Sequence, residues 1–153
     1  MDTLSGHRAL RSGRRSIGGQ VYLLTVVTHQ RKRIFVRNAA AIAAARVCHA
    51  PMTWGDAQAL CWVLMPDHWH GLIQLGDNDH LALCVNRFKA LIAKAVRCQH
   101  GANGHVWQRG FHDHALRREE DMRAIARYIV YNPVRAGLVA RVGDYPYWNA
   151  VWL

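Results

Sequence analysis

Residues 59–75, "ALCWVLMPDHWHGLIQL", limit the possible folds of this chain more than any other stretch. Two apolar runs rich in strand-forming residues flank a Pro-Asp pair, the pattern of two strands joined by a tight turn. The second run begins with His68 and His70, polar groups that a core rejects unless they find partners. Side chains alternate along a strand, so these two histidines share a face, with Cα atoms roughly 7 Å apart. Trp69 points the other way. Two imidazoles so placed can hold one metal ion, but a satisfied histidine pair gives the same H-x-H pattern, so the pair alone decides nothing.

The rest of the chain supplies the other layers. "VYLLTVVTH", residues 21–29, reads as an earlier strand, and the basic loop "QRKR" follows it with Arg31 and Arg33. Asn38 is expected to cap the alanine-rich helix "AAAIAAARVCHA", which Pro51 stops. Residues 80–98 place apolar side chains at helical spacing, with Arg87 and Lys94 off that stripe. A glycine-rich loop then leads into "HVWQRGFHDHALR", a short strand carrying a second histidine pair, and "EEDMRAIARYIVYN" makes a third helix halted at Pro133. The order β-α-β-β-α-β-α predicts an α+β fold: a ferredoxin-like antiparallel sheet with helices packed mainly on one face. Residues 20–153 are read as one domain. Residues 1–19, with Arg8, Arg11, Arg14 and Arg15, are read as a flexible basic arm that orders on nucleic acid.

Charge points to the partner. Twenty Lys and Arg against ten Asp and Glu leave a formal net charge of +10, and arginine far outnumbers lysine. Such a surface suits a polyanion, and the planar guanidinium fork suits phosphates and bases. Arg8, Arg11, Arg14, Arg15, Arg31, Arg33, Arg87 and Lys94 are the candidate nucleic-acid contacts. No apolar run reaches the ~18 residues of a membrane span, and Cys48, Cys61, Cys84 and Cys98 lie in apolar stretches without a C-x-x-C pair. The expectation is reduced core thiols in a cytoplasmic protein with no membrane partner and no small-molecule substrate.

The third helix offers what a two-histidine site lacks. With Tyr128 as zero and about 100° per residue, Ile125 falls at about 60°, Ile129 at about 100° and Met122 at about 120°, which defines the expected buried stripe. Tyr128 and Asn132, one turn apart, then lie on its margin, and Tyr131 lies further toward solvent. A phenol there can attack a phosphodiester while a metal polarises the phosphate, with the Asn132 carboxamide as third ligand. Mixed nitrogen and oxygen ligation with open positions fits Mg²⁺ or Mn²⁺, although imidazoles also accept Zn²⁺ or Co²⁺. A rim tyrosine of an amphipathic helix would give the same pattern.

"VLMPDHWHGLI", "WQRGFHDHALR" and "IARYIVYNPVRAGLV", together with the opening "VYLLTVVTHQRKRIF", closely resemble the single-tyrosine HUH transposases, specifically the REP-associated tyrosine transposases. The likeness runs from about Gln20 to the C-terminus. It implies a metal site of His68, His70 and Asn132 and a nucleophile at Tyr128. It also implies a ferredoxin-like domain that cuts single-stranded DNA at folded palindromes, leaving a 5′-phosphotyrosine and a free 3′-OH, and relatives that can work as monomers. In the family the metal pair follows Met-Pro-Asp, so His112, Asp113 and His114 are left as supports of the site or as DNA contacts.

Two other readings remain open at this level. One is a metal nuclease using activated water; the other is a non-catalytic binder of structured nucleic acid. The C-terminal "DYPYWNAVWL" could stack unpaired bases or pack against the body of the domain.

Overall fold

The computed structural model describes residues 17–100, 104–117 and 121–152. The four arginines of the expected basic arm lie outside the described residues. Strand β1 spans Val21–Val27, helix α1 Asn38–His49, and a single helical turn, α2, Pro51–Trp54. The hairpin follows as β2, Gln58–Met65, and β3, His68–Gln74. Helix α3 covers Leu81–His100 and β4 His112–Ala115. The chain closes with α4, Met122–Val130, the short turn α5, Asn132–Arg135, and β5, Trp148–Ala150.

All strand pairs are antiparallel, in the order β4-β1-β3-β2-β5. The first four strands have the connectivity expected of a ferredoxin-like sheet, with β3 at its centre. Alternation sorts the side chains into two buried clusters, one on each face. One face brings Leu24, Val26, Trp62, Leu64, Trp69 and Ile73 against α1 and α3. The other brings Cys61, Val63, Met65 and Leu72 against Ala126, Ile129 and Val130 of α4. The two long helices therefore share one face, and the shorter α4 lies across β2, β3 and β5 on the other.

Trp69 shows why the strand reads H-W-H-G. Its indole is fully buried and packs on Phe88, which in turn stacks on Trp54. The ring leans along its own strand over Gly71: a Cβ there would sit 2.5 Å from the Trp69 ring and 2.7 Å from the Cys61 carbonyl oxygen. Gly71→Ala is therefore expected to lower stability by about 1–3 kcal/mol through overpacking, read as a lower denaturation midpoint at unchanged slope.

Two local expectations are corrected. Asn38 is not the cap of α1; Arg37 holds the cap position without a side-chain bond, and the Asn38 carboxamide accepts from the Tyr147 hydroxyl at 2.9 Å. A residue 109 positions away claims the side chain that local pattern assigns to the helix. Cys98 is exposed, unlike the other three cysteines, which are buried. The C-terminal aromatic segment pairs with β2 as a fifth strand and is tied down by Tyr145, whose hydroxyl donates to the Leu64 carbonyl. Among the described residues no helix is long and apolar enough to cross a membrane.

Candidate active site

His68 and His70 stand on the central strand, on the face that α4 covers, and both are half-buried. The Pro-Asp turn before them does more than reverse the chain. Asp67 Oδ1 lies 2.7 Å from His68 Nδ1, and since a carboxylate only accepts, Nδ1 carries the proton of that bond. His70 Nδ1 lies 2.9 Å from the Leu24 carbonyl oxygen and 2.8 Å from Thr25 Oγ1; the carbonyl likewise requires Nδ1 to donate. In both rings Nε2 is left as the atom with a lone pair, the arrangement by which a ligating histidine is oriented through its other nitrogen.

The electrostatics agree with that assignment. Burial pushes the His70 pKa down from the usual imidazole value; the Leu24 bond opposes this, and the charges of His68 and Arg135 add to it. The shift favours the neutral ring, the form in which an imidazole can ligate. For Asp67 burial works upward, but the hydrogen bond and charge of His68 and then Arg31 outweigh it and hold the carboxyl below its usual range. Arg31 reaches Asp67 Oδ2 at 3.4 Å from a loop in which Gln30 and Arg31 both have positive φ, 55° and 51°. Non-glycine residues enter that region at a cost. Here the buried Thr28 offsets it: its hydroxyl lies 2.8 Å from the Lys32 carbonyl and 2.9 Å from that of Asp67. Asp67, quoted in the sequence only as a turn residue, is thereby part of the site.

Helix α4 corrects the expected stripe. Met122 is 38% exposed, and the buried positions are Ala126, Ile129 and Val130. The inward face is rotated away from Tyr128, which is 61% exposed, against 50% for Tyr131. Burial therefore does not separate the two tyrosines. The helix also ends at Val130, Tyr131 caps it, and Asn132 opens the next turn instead of continuing the same one. Pro133 is the buried second residue of that turn, so it starts α5 as well as barring a longer α4.

Arg135 separates the tyrosines. Its guanidinium carbon lies 3.7 Å from the centre of the Tyr128 ring, and its charge also acts on His70. One arginine thus touches the helical phenol and lies within electrostatic reach of His70. It has no carboxylate partner among the described residues, and a guanidinium stacked on a ring keeps its N–H donors in plane for another acceptor. Sequence gave no signal for this role, since Arg135 is one of many arginines.

The other expected residues fall in three places. His112 and His114 pair with Thr25 and Leu23, so they share the sheet face of His68 and His70 from the edge strand, and both are exposed. Asp113 points to the opposite face. Arg31 and Arg33 border the Asp67 turn and are exposed. Arg87 and Lys94 lie on α3, across the sheet from the histidines, and Arg87 Nε donates to the Thr53 carbonyl at 2.8 Å. Among the described residues no three His, Cys, Asp or Glu side chains gather as a metal site. The half-buried Asn132 carboxamide has no hydrogen bond among the described residues, and its oxygen is of a type that can ligate a divalent ion beside two imidazoles.

Residues 18–132 match the family described as "Transposase IS200 like". A Haemophilus influenzae protein named "Putative REP-associated tyrosine transposase" is 32% identical over 143 residues, covering 84% of this chain and 78% of its own length. The REP-associated tyrosine transposase of Escherichia coli is 33% identical over 88 residues, 56% of this chain and 50% of that protein. Among solved structures, a REP-associated tyrosine transposase bound to a REP hairpin superposes with a TM-score of 0.67 at 25% identity, over 88% of this chain and 79% of that one.

Proposed function

Because the chain belongs to the IS200-like transposase family, and within it to the REP-associated tyrosine transposases, we propose that it cuts and rejoins single-stranded DNA at hairpin-forming palindromes through a tyrosine ester. The observation that carries this reading is the Arg135 guanidinium, 3.7 Å from the centre of the Tyr128 ring and near enough for its charge to bear on His70, which supports reading the phenol and the histidine pair as parts of one site. The hairpin held by the solved relative supports the choice of substrate.

In the proposed reaction the Tyr128 phenol oxygen bonds to phosphorus, the P–O3′ bond breaks, and the leaving oxygen takes up a proton as a free 3′-OH. The 5′ side stays on the protein as a phosphotyrosine, which conserves the bond energy, so attack by another 3′-OH rejoins DNA and frees the phenol without ATP. Arg135 holds the Tyr128 ring and offers its in-plane N–H donors to a non-bridging phosphate oxygen. Asp67 and the Leu24 carbonyl fix the two imidazoles, each presenting Nε2. His68, His70 and Asn132 would hold Mg²⁺ or Mn²⁺, which polarises the phosphate and offsets its charge. His112 and His114, on the same sheet face, extend the surface on which the strand lies.

The test is incubation with labelled hairpin DNA carrying single-stranded flanks, with Mg²⁺ or Mn²⁺. A denaturant-resistant protein–DNA adduct that is absent with EDTA is the expected product, and binding should fall steeply with salt. Cleavage without an adduct would instead indicate activated water.

A further inference from the structure

The flank of α4 turned away from Tyr128 borders a second feature that the reaction does not use. A cavity of about 380 Å³ lies between α4 and the C-terminal strand, lined by Arg123, Ala126, Arg127, Val130, Ala150 and Trp152. The four helical positions recur at i, i+3, i+4 and i+7, so they form one stripe along the helix. Ala126, Val130 and Ala150 make a buried apolar floor, Trp152 is a half-buried wall, and the two arginines stand exposed at the rim.

The rim has the wrong chemistry for a closed structural contact. Arg123 and Arg127 are like charges one turn apart, an arrangement that disfavours a helix, and neither has a carboxylate partner among the described residues. An apolar slot with an aromatic wall and two guanidinium groups above it matches one ligand class: a flat base with its own phosphate. An apolar peptide or an uncharged acyl chain would fill the floor and leave both charges unanswered, whereas a nucleotide answers floor and rim together. The cavity has room for one nucleotide, and a base in a duplex could not enter it without leaving its stack.

Position identifies which nucleotide. Arg127 adjoins Tyr128 in sequence, and the stripe and the tyrosine lie on opposite flanks of one helix, whose diameter is about 10–12 Å. A strand whose phosphate meets Tyr128 crosses the exposed back of α4 and reaches the groove within a very few nucleotides. We infer that the groove formed by Arg123, Arg127 and Trp152 holds one unpaired base of the strand being cut, close to the scissile phosphate. This placement rests on the proposed function; the nucleotide-binding character of the groove stands on its lining alone. The groove thus fixes the register of the cut relative to the hairpin.

The probe is a DNA hairpin with a single-stranded flank, carrying 2-aminopurine or an abasic residue at each flank position in turn. Binding by the full chain is measured in EDTA, so that no cleavage occurs. One flank position is expected to show a fluorescence change that disappears in Trp152→Leu, and an abasic residue there should weaken wild-type binding about tenfold or more. Arg123→Gln combined with Arg127→Gln, which alters only exposed side chains, should abolish that abasic penalty while leaving binding of a blunt hairpin unchanged. Equal penalties in wild type and both variants, or equal losses on flanked and blunt hairpins, would overturn the proposal. Adduct formation with Mn²⁺ is scored separately: an adduct without the flank effect removes the groove alone, and the flank effect without an adduct removes the strand-transfer reading alone.

Discussion

Tyr128→Phe is expected to bind hairpin DNA as the wild type does and to form no covalent product, a loss on the order of 10⁴-fold or more in cleavage. The hydroxyl is the only atom removed, and its ring is 61% exposed, so the fold has little to lose. Phe keeps the ring face on which Arg135 stacks, so affinity for phosphate should persist. Tyr131→Phe is the matched control: Tyr131 is similarly exposed, at 50%, but caps the helix without the Arg135 contact. It should retain cleavage. Mass spectrometry of a trapped adduct decides the matter, and DNA attached to Tyr131, or cleavage surviving in Tyr128→Phe, would refute the assignment.

The second large effect is expected at the histidine pair. If His68, His70 and Asn132 hold a divalent ion as proposed, His68→Ala and His70→Ala would each leave two protein ligands, and the transition-state charge would lose several kcal/mol of stabilisation, about 10³-fold or more in rate. Both rings are half-buried beside α4 and not in its tightest packing, so circular dichroism and the denaturation midpoint should change little. Asp67→Asn tests the same site through its support: the ring orientation of His68 depends on a 2.7 Å bond to a carboxylate, and weakening that partner should lower metal affinity by about 10–100-fold. His112→Ala should be mild. His112 shares the sheet face with His70, one strand beyond Thr25, so the rival is not remote. Calorimetric loss of Mn²⁺ binding in His112→Ala but not in His68→Ala would transfer the metal site to the edge strand.

Much of this is legible in the amino-acid sequence alone, and the reason is periodicity. A strand repeats every two residues, so the shared face of His68 and His70 and the opposite placement of Trp69 follow from local geometry alone. The Pro-Asp turn, the β2–β3 hairpin and the long α3 are likewise written in neighbouring residues, and the element order then leaves few sheet topologies. The motif resemblance named the family independently of the fold, and the charge balance pointed to a polyanionic partner.

Tertiary structure decided what depends on residues far apart in sequence. Which side of α4 faces inward was set by its seat on Cys61, Val63 and Leu72, and that seat left Met122 partly exposed and turned Tyr128 outward from the stripe margin expected for it, while Tyr131 faces solvent as the helical pattern implied. Asn38 gave up its capping role to a tyrosine 109 residues away, and the C-terminal aromatics became a strand because β2 had an open edge. Local pattern cannot register such contacts, since each partner alone is satisfied equally well by solvent. The same holds for the two arginine roles. Arg135 and the Arg123–Arg127 pair are ordinary basic residues of a chain with a net charge of +10, and only the break after Val130 and the packing of β5 put one against a phenol and the others over an apolar slot.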